Sequence, residues 1–156
     1  MTGQQAYSRL AALCARSEHC QQDMTDKMRQ WGVPAEEQAA VMERLVKEKY
    51  VDDERFARAF ANDKVRYCKW GKRKVEQALW QKHIDEAIIR QTLEGIDEEE
   101  FVSILKPLLK QKRCTIKAVS DYELNMKLIK FALSRGFGMD IIKQCIDVAD
   151  EDEFLE

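Results

Sequence analysis

"VEQALWQKHI", Val75 to Ile84, is one of three stretches in this chain that follow a single pattern. The others are "MTDKMRQWGV", Met24 to Val33, and "LIKFALSRGF", Leu128 to Phe137. Each carries a pair of apolar or small residues four apart, hence on one helix face: Met24/Met28, Val75/Leu79 and Leu128/Ala132. Val33, Ile84 and Phe137 then stand on one register, 51 and 53 residues apart. Beyond that link, Ile88, Ile89 and Leu93 match Ile141, Ile142 and Ile146. Internal repetition at about fifty residues predicts small helical units that cannot bury a core alone and share one with a neighbour, the alternative being a compact helical domain whose similar segments coincide by chance.

Apolar periodicity predicts helices nearly end to end. The first unit has helices over about Ala6–Arg16, Gln21–Trp31 and Pro34–Tyr50. Tyr7, Leu10, Leu13 and Cys14 share a face of its first helix, and Val41, Met42 and Leu45 lie on its third. Gly32 is placed to cap the second helix in the left-handed conformation. Pro34 opens the third, in the first turn, where a missing N–H costs nothing. Helices then follow over about Asp53–Tyr67, Lys72–Lys82 and Asp85–Leu93, and over about Glu98–Lys112, Asp121–Arg135 and Met139–Val148. The expected fold is all-α: an elongated, curved array of three tandem three-helix repeats. The expected divisions are 1–50, 51–96 with a basic patch, and 97–156 with an inserted basic loop and an acidic tail.

Composition agrees with that class. The chain has 156 residues, with two prolines and six glycines to interrupt its helix formers. At that length a folded chain buries roughly 70% of its extended surface, so the core needs no disulfide or metal staple. Net charge is only -2, but it is polarised. Lys64–Lys82 holds seven Lys/Arg and one acid, and Lys106–Lys117 holds five bases and none. Asp97–Glu100 and the six acids of Asp147–Glu156 carry the opposite sign, which implies a basic and an acidic face. The alternative is a set of solvated helix surfaces that happen to cluster.

Cys14, Cys20, Cys68, Cys114 and Cys145 form no CxxC pair and fit reduced cytoplasmic thiols. Cys14, His19 and Cys20 lack the further ligands of a tetrahedral zinc site. The N-terminus shows no signal-peptide pattern, and no apolar run has the length to span a bilayer. A cytoplasmic protein, without membrane or metal, is expected.

The paired acids in "YVDDERFARAF", Tyr50–Phe60, raise the question of catalysis. A structural reading uses every residue. Asp52 caps the helix and Asp53 and Glu54 meet its positive end, while Val51 and Phe56 have the spacing of a hydrophobic staple. Phe56, Ala59, Phe60 and Tyr67 continue a buried stripe, and Arg55 and Arg58 point outward. A general acid/base pair needs carboxylates in contrasting environments, which adjacent residues at a helix start do not have. There is no phosphate-cradling glycine loop, no HExxH and no GxSxG. No catalytic residue and no cofactor is expected.

The functional signal lies in "YCKWGKRKVEQALWQKHI", Tyr67–Ile84. Lys69, Lys72, Arg73 and Lys74 surround Trp70 at the Gly71 turn, where a helix start would offer unpaired N–H groups to phosphate. Val75, Leu79 and Trp80 are assigned to the core stripe. Trp70 is either a contact residue or a partly buried cover on the preceding helix. Lys110, Lys112, Arg113 and Lys117 form a second basic loop that extends the surface.

"YVDDERFARAF" followed by "KWGKRKVEQALWQKHI" resembles the RecX family of bacterial recombinase regulators. Their hallmark is Leu-Asp-Asp-x-Arg-Phe-Ala and then a Gly-x-x-x-Ile helix ending in Lys-Gly-Ile. Val51 and Val75 replace two of its apolar residues, and His83 stands where glycine is usual. "LIKFALSRGFGMDIIKQCID" resembles the family's last repeat. The resemblance implies an array of three-helix repeats that binds RecA filaments on single-stranded DNA. Bound there, it would restrain ATP hydrolysis, strand exchange and co-protease action in DNA repair and the SOS response. It would act as a monomer and without chemistry of its own. On this reading Lys69, Lys72, Arg73, Lys74 and Lys82 supply DNA or filament contacts, with Arg55 and Arg58 beside them. Two other readings stay open: an autonomous nucleic-acid-binding module, and a protein-protein scaffold whose basic patches are incidental.

Overall fold

The structure, a computed structural model, describes residues 1–146. The acidic stretch Asp147–Glu156 and the expected helix end at Val148 lie outside the described residues. Within them the chain forms nine α-helices and no strand: α1 Gly3–Arg16, α2 Gln21–Gln30, α3 Ala35–Lys47, α4 Asp53–Arg66, α5 Lys72–Gln81, α6 Glu86–Glu94, α7 Glu98–Arg113, α8 Asp121–Ser134 and α9 Met139–Cys145. They are three three-helix repeats in succession.

The links that set the register close in one way. The N–H of Val33 donates to the Met28 carbonyl at 3.0 Å, that of Ile84 to Leu79 at 3.2 Å and that of Phe137 to Ala132 at 3.1 Å. The preceding residue is left-handed each time: Gly32 at φ 71°, His83 at 58° and Gly136 at 94°. This is a Schellman closure, in which a residue past the helix end satisfies a carbonyl five positions back. His83 therefore does not change how α5 ends. It adopts the glycine conformation at a cost of about 1–2 kcal/mol for its Cβ. Pro34 differs slightly from expectation: it is the N-cap of α3, with φ -56°, not a first-turn residue.

The chain forms two compact units, and the divisions between them fall within α4, α5 and α6. One comprises Met1–Phe60 with Leu79–Thr92, the other Ala61–Ala78 with the described residues from Leu93 to Ile146. In the first, α1 and α2 pack on α3 around Ala6, Leu10, Met24, Met28, Val33, Val41 and Leu45. Tyr7, Leu13, Cys14 and Met42 pack at the edge of that core, half-buried. In the second, α7 packs on α9 and α8, burying Phe101, Leu105, Leu109, Leu128, Ala132, Phe137 and Ile142.

Two expectations about faces are corrected. On α4 the fully buried residues are Ala57, Ala61 and Val65, with Phe56. Phe60 is half-buried against Phe56, with ring centroids 5.6 Å apart, whereas Ala59 is exposed and Tyr67 is 80% exposed. Small side chains take the interior of α4, which turns its stripe away from the more hydrophobic aromatics. On α5, Val75 and Leu79 are fully buried, but Trp80 is 70% exposed and is no part of the core.

Candidate partner-contact surface

The start of α5 is built against the link between α8 and α9. The Gly71 N–H donates to the Arg135 carbonyl at 2.7 Å, and the Arg73 N–H donates to the Gly136 carbonyl at 3.0 Å. The Arg135 guanidinium donates in turn to the Cys68 carbonyl at 3.4 Å. A Cβ on Gly71 would lie 2.3 Å from the Gly136 carbonyl carbon and the Phe137 nitrogen. A Cβ on Gly136 would lie 2.4 Å from the Lys74 Cβ. The glycines thus serve a close backbone approach. Two of the N–H groups expected to await a phosphate are already satisfied by protein, which corrects the anion-cradle reading of this helix start. Arg135 and Gly136 are the residues here that local sequence patterns do not single out, although a glycine after a helix is the kind of signal that marks close approach.

Trp70 is half-buried, with the Lys74 ammonium 4.7 Å and the Lys64 ammonium 5.1 Å from its ring centroid. Stacking of this kind spends part of the charge of Lys74 on holding the tryptophan. Lys69 is left-handed at φ 60° and donates to the Arg66 carbonyl at 2.7 Å. Lys72 and Arg73 remain exposed at the edge of a cleft of about 490 Å³. Its apolar wall includes Phe101, Phe137 and Ile141, and the carboxylates of Glu76, Glu98 and Asp140 also line it. A mixed-charge rim over an apolar wall suits a protein surface better than a polyanion, whose phosphates those acids repel.

The candidates Arg55, Arg58 and Lys82 belong to the first unit, and Arg55 and Lys82 are engaged. Arg55 does not point freely outward: its Nε donates to Glu18 at 2.7 Å and its Nη2 to the Lys49 and Tyr50 carbonyls at 3.0 and 3.3 Å. Arg58 is exposed. The Lys82 ammonium donates to Asp23 at 2.7 Å. That bond raises the pKa of Lys82. Burial pushes the Asp23 carboxyl up, but bonds from Lys82 and the Cys20 N–H outweigh it, and the net shift is downward. Burial also pushes the Cys20 thiol up to about 11, so the thiol is protonated at neutral pH. Among the described residues no group of three or more His, Cys, Asp or Glu is arranged to hold a metal ion.

The aspartates of "VDDE" are separated by geometry. Asp52 accepts the Arg55 N–H at 3.1 Å and caps α4. Asp53 accepts the Gln21 N–H at 2.9 Å, tying α4 to the start of α2. Burial, opposed by that bond and helped by the charges of Asp52 and Asp23, raises the Asp53 pKa. A raised folded-state pKa means that ionised Asp53 costs stability above that pKa, and the cost is relieved as pH falls through it. Asp53→Asn keeps the acceptor and removes the charge, so at pH 7 it is expected to hold or raise the urea midpoint. Asp52→Ala removes the cap and is expected to lose about 1 kcal/mol in the same measurement. Equal losses in both variants would overturn this division of roles.

The second basic segment lies at the end of α7. Lys110 and Arg113 are exposed in its last turn, and the half-buried Lys112 places its ammonium 5.0 Å from the Phe131 ring centroid. Lys117 follows in the link to α8, and its carbonyl accepts the Lys127 ammonium at 2.9 Å.

Fold and repeat define an all-α protein of three tandem three-helix units. Family models for RecX match each in turn: the first three-helix domain over 6–45, the second over 52–93 and the third over 98–146. The chain belongs to the RecX family. It is 31% identical over 138 residues to "Regulatory protein RecX" of Clostridium botulinum strain Alaska E43, covering 87% of this chain and 64% of that one. It is 29% identical over 152 residues to the protein of the same name from Acinetobacter baylyi, covering 97% and 92%. A crystal structure of regulatory protein RecX superposes with a TM-score of 0.84 at 19% identity, over 92% of this chain and 70% of the other. That of RecX from Lactobacillus salivarius gives 0.82 at 17% identity, over 92% and 93%. These superpositions speak to the fold.

Proposed function

We propose that this protein regulates, and mainly inhibits, the RecA recombinase by binding its filament on single-stranded DNA in the cytoplasm. The observation that carries the reading is the succession of family matches across all three repeats, together with relatives named as regulatory proteins. The protein acts without chemistry of its own, restraining filament turnover by occupying and bridging protomer surfaces. Lys72 and Arg73, exposed beside an apolar cleft, are the filament contacts. The primary test is DNA-stimulated ATP hydrolysis by the cognate recombinase with substoichiometric amounts of this protein. Hydrolysis should fall, and unchanged hydrolysis and filament lifetime would overturn the reading.

The contact assignment has its own test. Lys72→Glu/Arg73→Glu places like charge against a surface chosen for cations, which typically costs several kcal/mol. The half-inhibitory concentration should rise at least about tenfold while circular dichroism stays native. Lys74 is left unchanged because it stacks on Trp70. Undiminished inhibition would refute the contact.

A further inference from the structure

We infer that the C-terminal end of α7 and the link that follows it bind the phosphate backbone of a nucleic acid. The inference deepens the filament reading by assigning polyanion contact to a surface separate from the α5 cleft. Lys106, Lys110 and Arg113 are exposed, and their spacings of four and three residues place them on one helix face. They span about 10 Å of helix rise, against one phosphate per about 3.4 Å along a duplex strand. Lys117 follows in the link, also exposed. Among the described residues, none of these four cations is paired with a carboxylate.

The contrast with α5 carries the assignment. Lys72 and Arg73 share their cleft with three carboxylates, and the helix start beneath them has given its Gly71 and Arg73 N–H groups to the Arg135 and Gly136 carbonyls. From Lys106 to Lys117 the chain has no acid at all. The next two acids are Asp121, which is exposed, and Glu123. Glu123 is occupied by the Val119 N–H and the Lys127 ammonium, each at 3.1 Å.

The test is fluorescence anisotropy of the full chain, without recombinase, on a labelled single-stranded oligothymidylate and a labelled duplex from about 50 to 200 mM salt. Lys110→Gln/Arg113→Gln/Lys117→Gln should weaken low-salt binding at least about tenfold and flatten the salt slope by about 2. Arg29→Gln/Lys47→Gln/Arg90→Gln removes the same charge from exposed sites in the other unit and should keep the wild-type slope. Lys110→Arg/Lys117→Arg should bind as wild type. A loss on both probes supports contact with the phosphate backbone. Wild-type binding by the first variant, an equal loss in the charge-matched control, or no binding by the wild type at the lowest salt would overturn the inference. Each of those results leaves the ATP hydrolysis assay independent, so the two readings fail separately.

Discussion

Gly71→Ala should destabilise the protein by at least about 3 kcal/mol, the upper range of overpacking costs. One methyl group produces this loss because its neighbours are backbone. The added Cβ would lie 2.3 Å from the Gly136 carbonyl carbon and the Phe137 nitrogen, and 2.5 Å from the Gly136 oxygen. No side-chain rotation relieves that overlap, so the α8–α9 link must move away from α5. Moving it breaks the Gly71 and Arg73 N–H bonds to Arg135 and Gly136, leaving partly buried polar groups to find other partners. Urea unfolding monitored by circular dichroism measures the loss. Gly32→Ala is the control, since its Cβ would meet nothing within 4 Å and only its positive φ is penalised, at about 1–2 kcal/mol. A smaller loss at Gly71 than at Gly32 would show that the approach is not as tight as the geometry demands.

Phe137→Ala should cost about 3–5 kcal/mol, the usual range for removing a buried phenyl ring. The ring is 1% exposed and is among the largest fully buried side chains of the molecule. It also walls the cleft beside Lys72 and Arg73, and its own N–H closes α8 on the Ala132 carbonyl. Truncation therefore leaves the backbone bond available but removes the packing that holds the link in place. Phe137→Leu, which keeps much of the volume, should recover most of the loss. A midpoint unchanged by Phe137→Ala would mean that the ring is not a core residue.

Much of the fold was legible because its signals are local. "MTDKMRQWGV", "VEQALWQKHI" and "LIKFALSRGF" each contain the carbonyl, the left-handed residue and the apolar closing residue of one Schellman link. Apolar periodicity likewise places the helices of the described residues to within a few residues. His83 in the glycine position follows the same rule, because the closing bond joins residues only five apart. Asp52 was recognisable as a cap for the same reason.

The candidate site was less legible because its partners are distant in sequence. Lys82 reads as a free cation until Asp23, 59 residues earlier, is found on it. Arg55 reads as an outward charge until Glu18 is found 37 residues away. Trp80 was assigned to the core because tryptophan is apolar and sits next to Leu79. Helix periodicity alone cannot tell which edge of a stripe meets another helix.

Among the described residues the number and order of the helices, the three Schellman links, the Asp52 cap and the repeat that leads to the family all follow from the sequence. Those features depend on hydrogen bonds and side-chain spacings within a few residues. Long-range packing set which basic groups are occupied, gave the N–H groups of Gly71 and Arg73 to the α8–α9 link and turned Trp80 to solvent. Each of these depends on a neighbour tens of residues away, where packing and charge pairing, not local propensity, set the outcome.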